Sequence, residues 1–338
     1  MRSLDTEKFL EAVRFARNVL ILPHNDPDPD AIASALALEE IFRKRLNLQT
    51  RICYKGIISR SENRALVHYL GNPLHVLTEA DFDQADAVIL VDTQPGTGNN
   101  PLPKGRPADM VIDHHPYCPE TQTAHYADVP SGYGASSSMM TEYLQVFGLE
   151  AHQKLATALY YGIISDTRGL SRGTTQADMD AYNYLEPKID HEALANIQFA
   201  PFPDNYFKTL VDTLENARRY GNLVMAYCGV TDYPDMAAEM ADFLLRIKDI
   251  QWVICTNACQ EDLFVSVRST LPEGGAGRLI KDIIGPEGTA GGHGMMAGGQ
   301  IPLAGKNPLE VSSTVHQRAL QLLNIAEGIT GKPLLGVQ

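Results

Sequence analysis

The sequence predicts an α/β protein: an N-terminal domain with a mainly parallel sheet flanked by helices, then a smaller C-terminal α/β domain. Three observations carry that prediction. Up to about Glu186, short β-branched runs alternate with longer amphipathic segments, the pattern of parallel strands joined by crossover helices. The runs at 18–23 and 110–112 are continuously apolar, as in strands buried on both faces. Between Glu186 and Asn205, Pro187, Pro201 and Pro203 interrupt the pattern, and strand and helix signals then resume.

In order, the first domain (1–186) is expected to open with an amphipathic helix at 5–17 and a strand at 19–23. A helix at 30–46, a strand at 50–54, a helix at 61–70 and a strand at 87–92 follow. A strand at 110–113, a short one near 123–127 and helices at 135–147 and 151–164 complete it. Residues 187–205 read as the linker. The second domain (206–338) should contain strands at 223–230, 252–258 and 263–269 and helices at 233–247, 278–284 and 308–325. The cleft between the domains is the expected place for a ligand.

A chain of 338 residues, 44% of them hydrophobic, can fill two cores. No apolar run approaches membrane-spanning length and no basic, apolar leader opens the chain, so the cytoplasm is the expected compartment. Five scattered cysteines (Cys53, Cys118, Cys228, Cys255, Cys259) lack framework spacing and fit a reducing environment. A net charge of −13 argues against a sequence-blind grip on long nucleic acid, which relies on a basic stripe.

Chemistry concentrates in two clusters that follow strands, His24-Asn-Asp-Pro-Asp-Pro-Asp30 and Asp113-His114-His115. Asp92 and Asp166 close the apolar segments 86–92 and 159–166 and are expected in the same strand-end setting, which lines the ligand crevice of an open α/β sheet. Carboxylates mixed with imidazoles, without closely spaced Cys and His, suit Mn²⁺, with Mg²⁺ or Co²⁺ as substitutes, rather than structural zinc. Alone, 25–30 would be a turn, since Asn, Asp and Pro favour turns for conformational reasons. Four such motifs in order point to metal, and two bound divalent cations would draw a phosphate into the acidic crevice.

These motifs resemble the DHH phosphoesterase superfamily, which includes RecJ exonucleases, nanoRNases, cyclic-dinucleotide phosphodiesterases, exopolyphosphatases and family II pyrophosphatases. The first motif, His-x3-Asp-x-Asp, falls on His24, Asp28 and Asp30; the others fall on Asp92, on Asp113-His114-His115 and on Asp166. The segment Gly291–Gly299 is similar to the glycine-rich signature of the accompanying DHHA1 domain, so the resemblance covers nearly the whole chain. Thr289-Ala290 and Arg168 depart from the usual pattern.

The resemblance implies that His24 and Asp28 hold one ion, that Asp30, His114 and Asp166 hold the other, and that Asp92 bridges both. Paired ions ~3.5–4 Å apart polarise a phosphoryl oxygen and activate a shared water. Asp113 would orient its neighbours and His115 would contact the phosphate or protonate the leaving oxygen. Arg268 and Ser266, on an alternating strand, Gly291, Gly292 and Gly298, where close backbone approach needs residues lacking Cβ, and His293 among them, which could hold a phosphate, are the expected substrate contacts. The alternatives are a solvated strand charge and a flexible loop. Arg168, Arg172, Ser136 and Ser137 are further candidates, although the serines equally suit a helix start.

The expected activity is Mn²⁺-dependent hydrolysis of phosphodiester bonds in short oligonucleotides or linear dinucleotides, extending to 3′-phosphoadenosine 5′-phosphate. A cyclic-dinucleotide phosphodiesterase is the runner-up. Pyrophosphatases are disfavoured because they lack the glycine-rich signature, and a RecJ-like exonuclease by length and charge; an exopolyphosphatase stands with them among the less favoured readings. A non-catalytic nucleotide-binding protein would be expected to have lost a ligand, and all six are present. The expected partner is the short substrate; long nucleic acid and membranes are not expected, and a homodimer is left open.

Overall fold

The structure is a computed structural model and describes residues 4–271, 274–326 and 328–335, with the backbone alone of His293. The chain divides into two units, Met1–Ala200 and Pro201–Gln338.

The first unit runs α1 (Thr6–Ala12), β1 (Asn18–Leu22), α2 (Pro29–Leu46), β2 (Gln49–Tyr54), α3 (Ser61–Leu70), β3 (His75–Val76), α4 (Glu79–Gln84) and β4 (Ala87–Val91). It continues with β5 (Met110–Ile112), β6 (Tyr126–Asp128), α5 (Ser136–Val146), α6 (Gln153–Asp166), α7 (Gln176–Leu185) and α8 (His191–Gln198). The six strands form one sheet in the order β3-β2-β1-β4-β5-β6, parallel throughout. This is a doubly wound order whose reversal lies between β1 and β4, and ligands of such sheets bind beyond the strand ends at that point. Successive residues of a strand enter different cores. Val19 and Ile21 of β1, with Ile89 and Val91 of β4, join the larger core that α2, α5 and α6 cover, while Leu20, Leu22, Val88 and Leu90 fill the opposite face. Burial on both faces explains the unbroken apolar runs.

Two expectations change here. The segment 187–205 is not a plain linker: it contains α8, whose Leu194 and Ile197 are buried in the first core, and the units divide only after Ala200. Pro187 misled because it sits in the opening of a 3₁₀ turn, where a missing N–H costs nothing. Nor does Asp166 end a strand; it is the last residue of α6. Residues 159–166 resemble a strand in their Tyr and Ile content, but Leu159, Tyr160, Tyr161 and Ile163 are all buried, as on a helix apolar around most of its circumference.

The second unit runs α9 (Asp204–Asn216), β7 (Arg218–Tyr220), β8 (Leu223–Val230), α10 (Met236–Leu244), β9 (Trp252–Cys259) and β10 (Asp262–Ser269). Then follow α11 (Ala276–Ile284), β11 (Thr289–His293), β12 (Met296–Pro302), α12 (Pro308–Leu322) and β13 (Lys332–Pro333). Its sheet has the order β11-β12-β10-β9-β8-β7-β13, antiparallel except for the β8–β9 pair. The glycine-rich segment is therefore a hairpin rather than a loop. Gly294-Met295 joins the paired His293 and Met296, with Gly294 at φ +55° as a two-residue turn requires. Among the described residues, no helix is long and apolar enough to cross a membrane.

Candidate metal centre

His24 lies two residues past β1 and Asp92 one past β4, on either side of the sheet's reversal point. Asp92 has φ +59°, in the left-handed region that non-glycine residues rarely adopt, while its N–H donates to the Ile112 carbonyl at 2.9 Å. This turn places the buried carboxylate among three imidazoles, 3.7 Å from His24 Nε2, 3.5 Å from His114 Nε2 and 3.8 Å from His115 Nδ1.

The N-terminus of α2 supplies two more acids. Asp28 caps the helix, accepting the Ala31 N–H at 3.0 Å, and lies 3.7 Å from His24 Nε2. Asp30 is wholly buried, and its two oxygens accept the N–H groups of Ser136 and Ser137, the first residues of α5, at 2.7 Å each. Two helix N-termini thus converge on one carboxylate. Ser136 also donates its hydroxyl to Asp92 Oδ1 at 2.8 Å, so these serines start a helix and brace two acids. At the end of α6, Asp166 reaches His114 Nε2 at 3.2 Å. Gly162, one turn earlier, lets α6 come this close, since a Cβ there would stand 2.3 Å from Ser137 Oγ and 3.1 Å from Asp30 Oδ1.

The six expected ligands form two triads, His24–Asp28–Asp92 and Asp30–His114–Asp166, each with donor atoms within 4.8 Å of one another, and Asp92 also approaches His114. Asp92, Asp113, His114 and His115 make a further group on the same criterion. The imidazoles are oriented as ligands need to be. Nδ1–H of His24 donates to the Asn25 carbonyl at 2.7 Å and that of His114 to the Tyr133 carbonyl at 3.4 Å, which leaves both Nε2 atoms facing the acids. Although Asp166 lies 3.2 Å away, the buried His114 Nε2 makes no hydrogen bond, an orphan that a cation would satisfy. This donor set of oxygens and imidazoles fits a pair of divalent cations.

In the second unit, Ser266, Gly298 and Gly291 lie opposite one another across β10, β12 and β11, while Arg268, Met296 and His293 form the next row on that face. Arg268 is not a solvated charge. Its buried guanidinium donates to Asp242 of α10 at 2.8 Å and to Ser266 Oγ at 2.8 Å. Gly291 has open space where a Cβ would project, and Gly298 is exposed. Gly292 is glycine for another reason: at φ +124°, a Cβ would stand 2.4 Å from Ala297 Cα. The side chain of His293 lies outside the described residues.

Residues 18–163 match the family model of the DHH family, N-terminal domain. The first unit carries a DHH domain. Over 319 residues the chain is 32% identical to an uncharacterized protein of Methanocaldococcus jannaschii, covering 91% of this chain and 65% of the relative. Over 166 residues it is 29% identical to a probable manganese-dependent inorganic pyrophosphatase of Streptococcus equi subsp. zooepidemicus, covering 47% and 51% respectively. The chain thus spans between half and two thirds of the length of these relatives. In fold it is similar to an exopolyphosphatase-related protein from Bacteroides fragilis, with a TM-score of 0.72 at 16% identity over 94% of this chain and 95% of that one.

Electrostatics in the DHH domain point the same way as its geometry. Burial and nearby Asp166 push Asp30 up to about 7, and burial with Asp30 alongside pushes Asp92 well above the carboxylate range. Burial works against charge on the imidazoles too, yet Asp28 holds His24 up to about 10 and Asp166 holds His114 up to about 9. Asp30, Asp92 and the two imidazoles retain protons here, while Asp28, although partly buried, is held below the usual carboxylate range by His24. The cluster lacks positive charge, and divalent cations would supply it.

Sequence reasoning missed Gln94 and Gly162. Neither belongs to a spacing pattern: Gln94 matters through contacts with residues 113–121, and Gly162 looks like a weak point in an apolar run until α6 is placed against α2 and α5.

Proposed function

We propose that this chain is a divalent-metal-dependent phosphoesterase that uses two cations, Mn²⁺ by preference, to hydrolyse phosphodiester bonds of short oligonucleotides and linear dinucleotides. The observation that carries the reading is the meeting of two acid–imidazole triads at one sheet reversal, with Asp92 in contact with both. His24, Asp28 and Asp92 would hold one ion, Asp30, His114, Asp166 and Asp92 the other. Bound there, the ions would polarise a phosphoryl oxygen and bring a water towards ionisation near neutral pH.

The protein's own groups do the remaining work. The helix N-termini fix Asp30, and Ser136 fixes Asp92, so that the acids need no reorganisation. His115 donates Nδ1–H to Asp113 at 2.8 Å, which assigns any proton exchange with a phosphate or leaving oxygen to Nε2. Asp113, wholly buried, acts through His115 rather than on substrate. In the second unit, Arg268 is pre-positioned by Asp242 beside the open Gly291–Gly298 face and would grip a substrate phosphate there, with Ser266 next to it. Preference for short substrates follows from a net charge of −13, which offers a long strand no basic track.

The similarity to a probable manganese-dependent inorganic pyrophosphatase supports a second reading, hydrolysis of pyrophosphate. One panel separates the readings: short RNA oligomers, c-di-AMP, c-di-GMP, 3′-phosphoadenosine 5′-phosphate and pyrophosphate, each with Mn²⁺ and with chelator. Turnover of the RNA dimer above all others is expected. Turnover of pyrophosphate or a cyclic dinucleotide above it would replace the proposed substrate.

A further inference from the structure

Gln94 lies two residues past Asp92 and is completely buried, with all four hydrogen-bonding positions of its amide used. Oε1 accepts the Cys118 N–H at 2.8 Å and the Thr121 hydroxyl at 2.9 Å. Nε2 donates to Asp113 Oδ2 at 2.6 Å and to the Pro116 carbonyl at 3.1 Å. The amide cannot be the other way round, because a backbone N–H only donates and a carbonyl only accepts. Asp113 is equally constrained. With Oδ2 taken by Gln94, its Oδ1 receives Nδ1–H of His115 at 2.8 Å and the His115 backbone N–H at 3.3 Å. The result is an unbroken chain of contacts from the β4 end to the imidazole: Gln94, Asp113, His115.

We propose that Gln94 is a positioning residue that locks the rotation of the Asp113 carboxylate and thereby the ring orientation of His115 during hydrolysis, an inference that rests on the phosphoesterase reading above. A residue needed only to staple the segment 116–121 would require the contacts to Cys118, Thr121 and Pro116. The shortest of the four bonds goes instead to Asp113. Without it, Oδ2 would be a buried carboxylate oxygen lacking a donor, free to rotate away from His115. The metal-facing nitrogen belongs to His114, which is held separately by the Tyr133 carbonyl, so orientation of His115 can change while the ligands stay in place.

The test compares the full-length wild type with Gln94→Met, Gln94→Glu and Thr121→Val, all loaded with Mn²⁺. Methionine keeps the volume and removes every polar contact. Glutamate keeps the acceptor for Cys118 and Thr121 but sets a carboxylate against Asp113, so it tests the same bond should the methionine variant fail to fold. Thr121→Val removes a stapling contact only. The readouts are kcat and KM on bis(p-nitrophenyl) phosphate, Mn²⁺ affinity by calorimetry, and the downfield proton resonance of His115 Nδ1–H, read with diamagnetic Mg²⁺ in place of Mn²⁺ and assigned by its loss in His115→Ala. Both Gln94 variants should lose about 10- to 100-fold in kcat, the usual scale for groups that orient a working residue. KM and Mn²⁺ affinity should not change, and the resonance should shift or vanish. Thr121→Val should retain kcat and the resonance. The inference is overturned if the Gln94 variants keep kcat, if Thr121→Val loses as much as they do, or if Mn²⁺ affinity falls in step with kcat. Should the wild type hydrolyse no phosphoester at all, the phosphoesterase reading fails by itself, and the resonance still decides whether Gln94 positions His115.

Discussion

Replacing Asp92 by asparagine keeps the side chain's shape and removes one charge from the point where both triads meet. In the wild type this carboxylate lies 3.7 Å from His24 Nε2 and 3.5 Å from His114 Nε2, and it is braced by Ser136 at 2.8 Å. Losing a group that merely orients a ligand costs about 10- to 100-fold. A carboxylate shared by two ions should cost more, so kcat should fall below about one hundredth of wild type, a barrier increase of at least about 2.7 kcal/mol. Metal-free stability should move the other way. Burial and Asp30 push Asp92 well above its ordinary range, which means that the ionised form is unfavourable in the fold. An uncharged isostere relieves that repulsion, so the chelator-treated variant should melt no lower than chelator-treated wild type. Calorimetric Mn²⁺ titration, steady-state kinetics and thermal melts together read the outcome. Activity above about a tenth of wild type, the mildest loss expected of an orienting residue alone, would refute the shared-ligand assignment.

His115→Ala should lower kcat by about 10²- to 10⁴-fold while Mn²⁺ affinity holds, and His114→Ala should lose Mn²⁺ first; equal metal loss in calorimetry would show the roles are misassigned. Arg268→Ala should raise KM for a dinucleotide about ten- to a hundredfold and leave bis(p-nitrophenyl) phosphate turnover nearly unchanged. The same variant should lose about 1.5–3 kcal/mol in urea unfolding, because Asp242 and Ser266 lose a charged partner; a fully stable variant would contradict the observed pairing. pH should act on the metal-free protein with a definite sign. His24 and His114 are raised from 6.5 to about 10 and about 9, so their stabilisation is complete below pH 6.5 and disappears as pH rises through those values. Asp30, raised from 3.8 to about 7, adds destabilisation as pH climbs between those values. Chelator-treated melting temperature should therefore fall from pH 6.5 to 10, while saturating Mn²⁺ opposes the fall because deprotonated imidazoles bind it. A flat metal-free profile would contradict these shifts.

Much of the first unit is legible in sequence because β1, β4 and β5 are buried on both faces and so appear as plain apolar runs, followed by His24, Asp92 and Asp113 respectively. Helix 61–70 has the bounds read from sequence, since Gly71 at φ +89° punctuates it locally. Non-local packing hid the rest. Asp166 looks like a strand terminus until α6 is set against α2 and α5, and Pro187 looks like a linker until α8 buries Leu194 and Ile197. The glycine-rich stretch was visible as composition, but not as a hairpin, because register across β10, β12 and β11 is a property of the sheet. Arg268 is legible in sequence as a charge on an alternating strand, whereas its partner Asp242 comes from a helix 26 positions away and leaves no trace in spacing.

The central claim, two cations held by the two triads of the DHH domain, is tested most directly by anomalous diffraction at the manganese edge from crystals grown with Mn²⁺. Two peaks ~3.5–4 Å apart are predicted, one ligated by His24, Asp28 and Asp92 and the other by Asp30, His114, Asp166 and Asp92. A single peak, or two peaks that do not share Asp92, would contradict it.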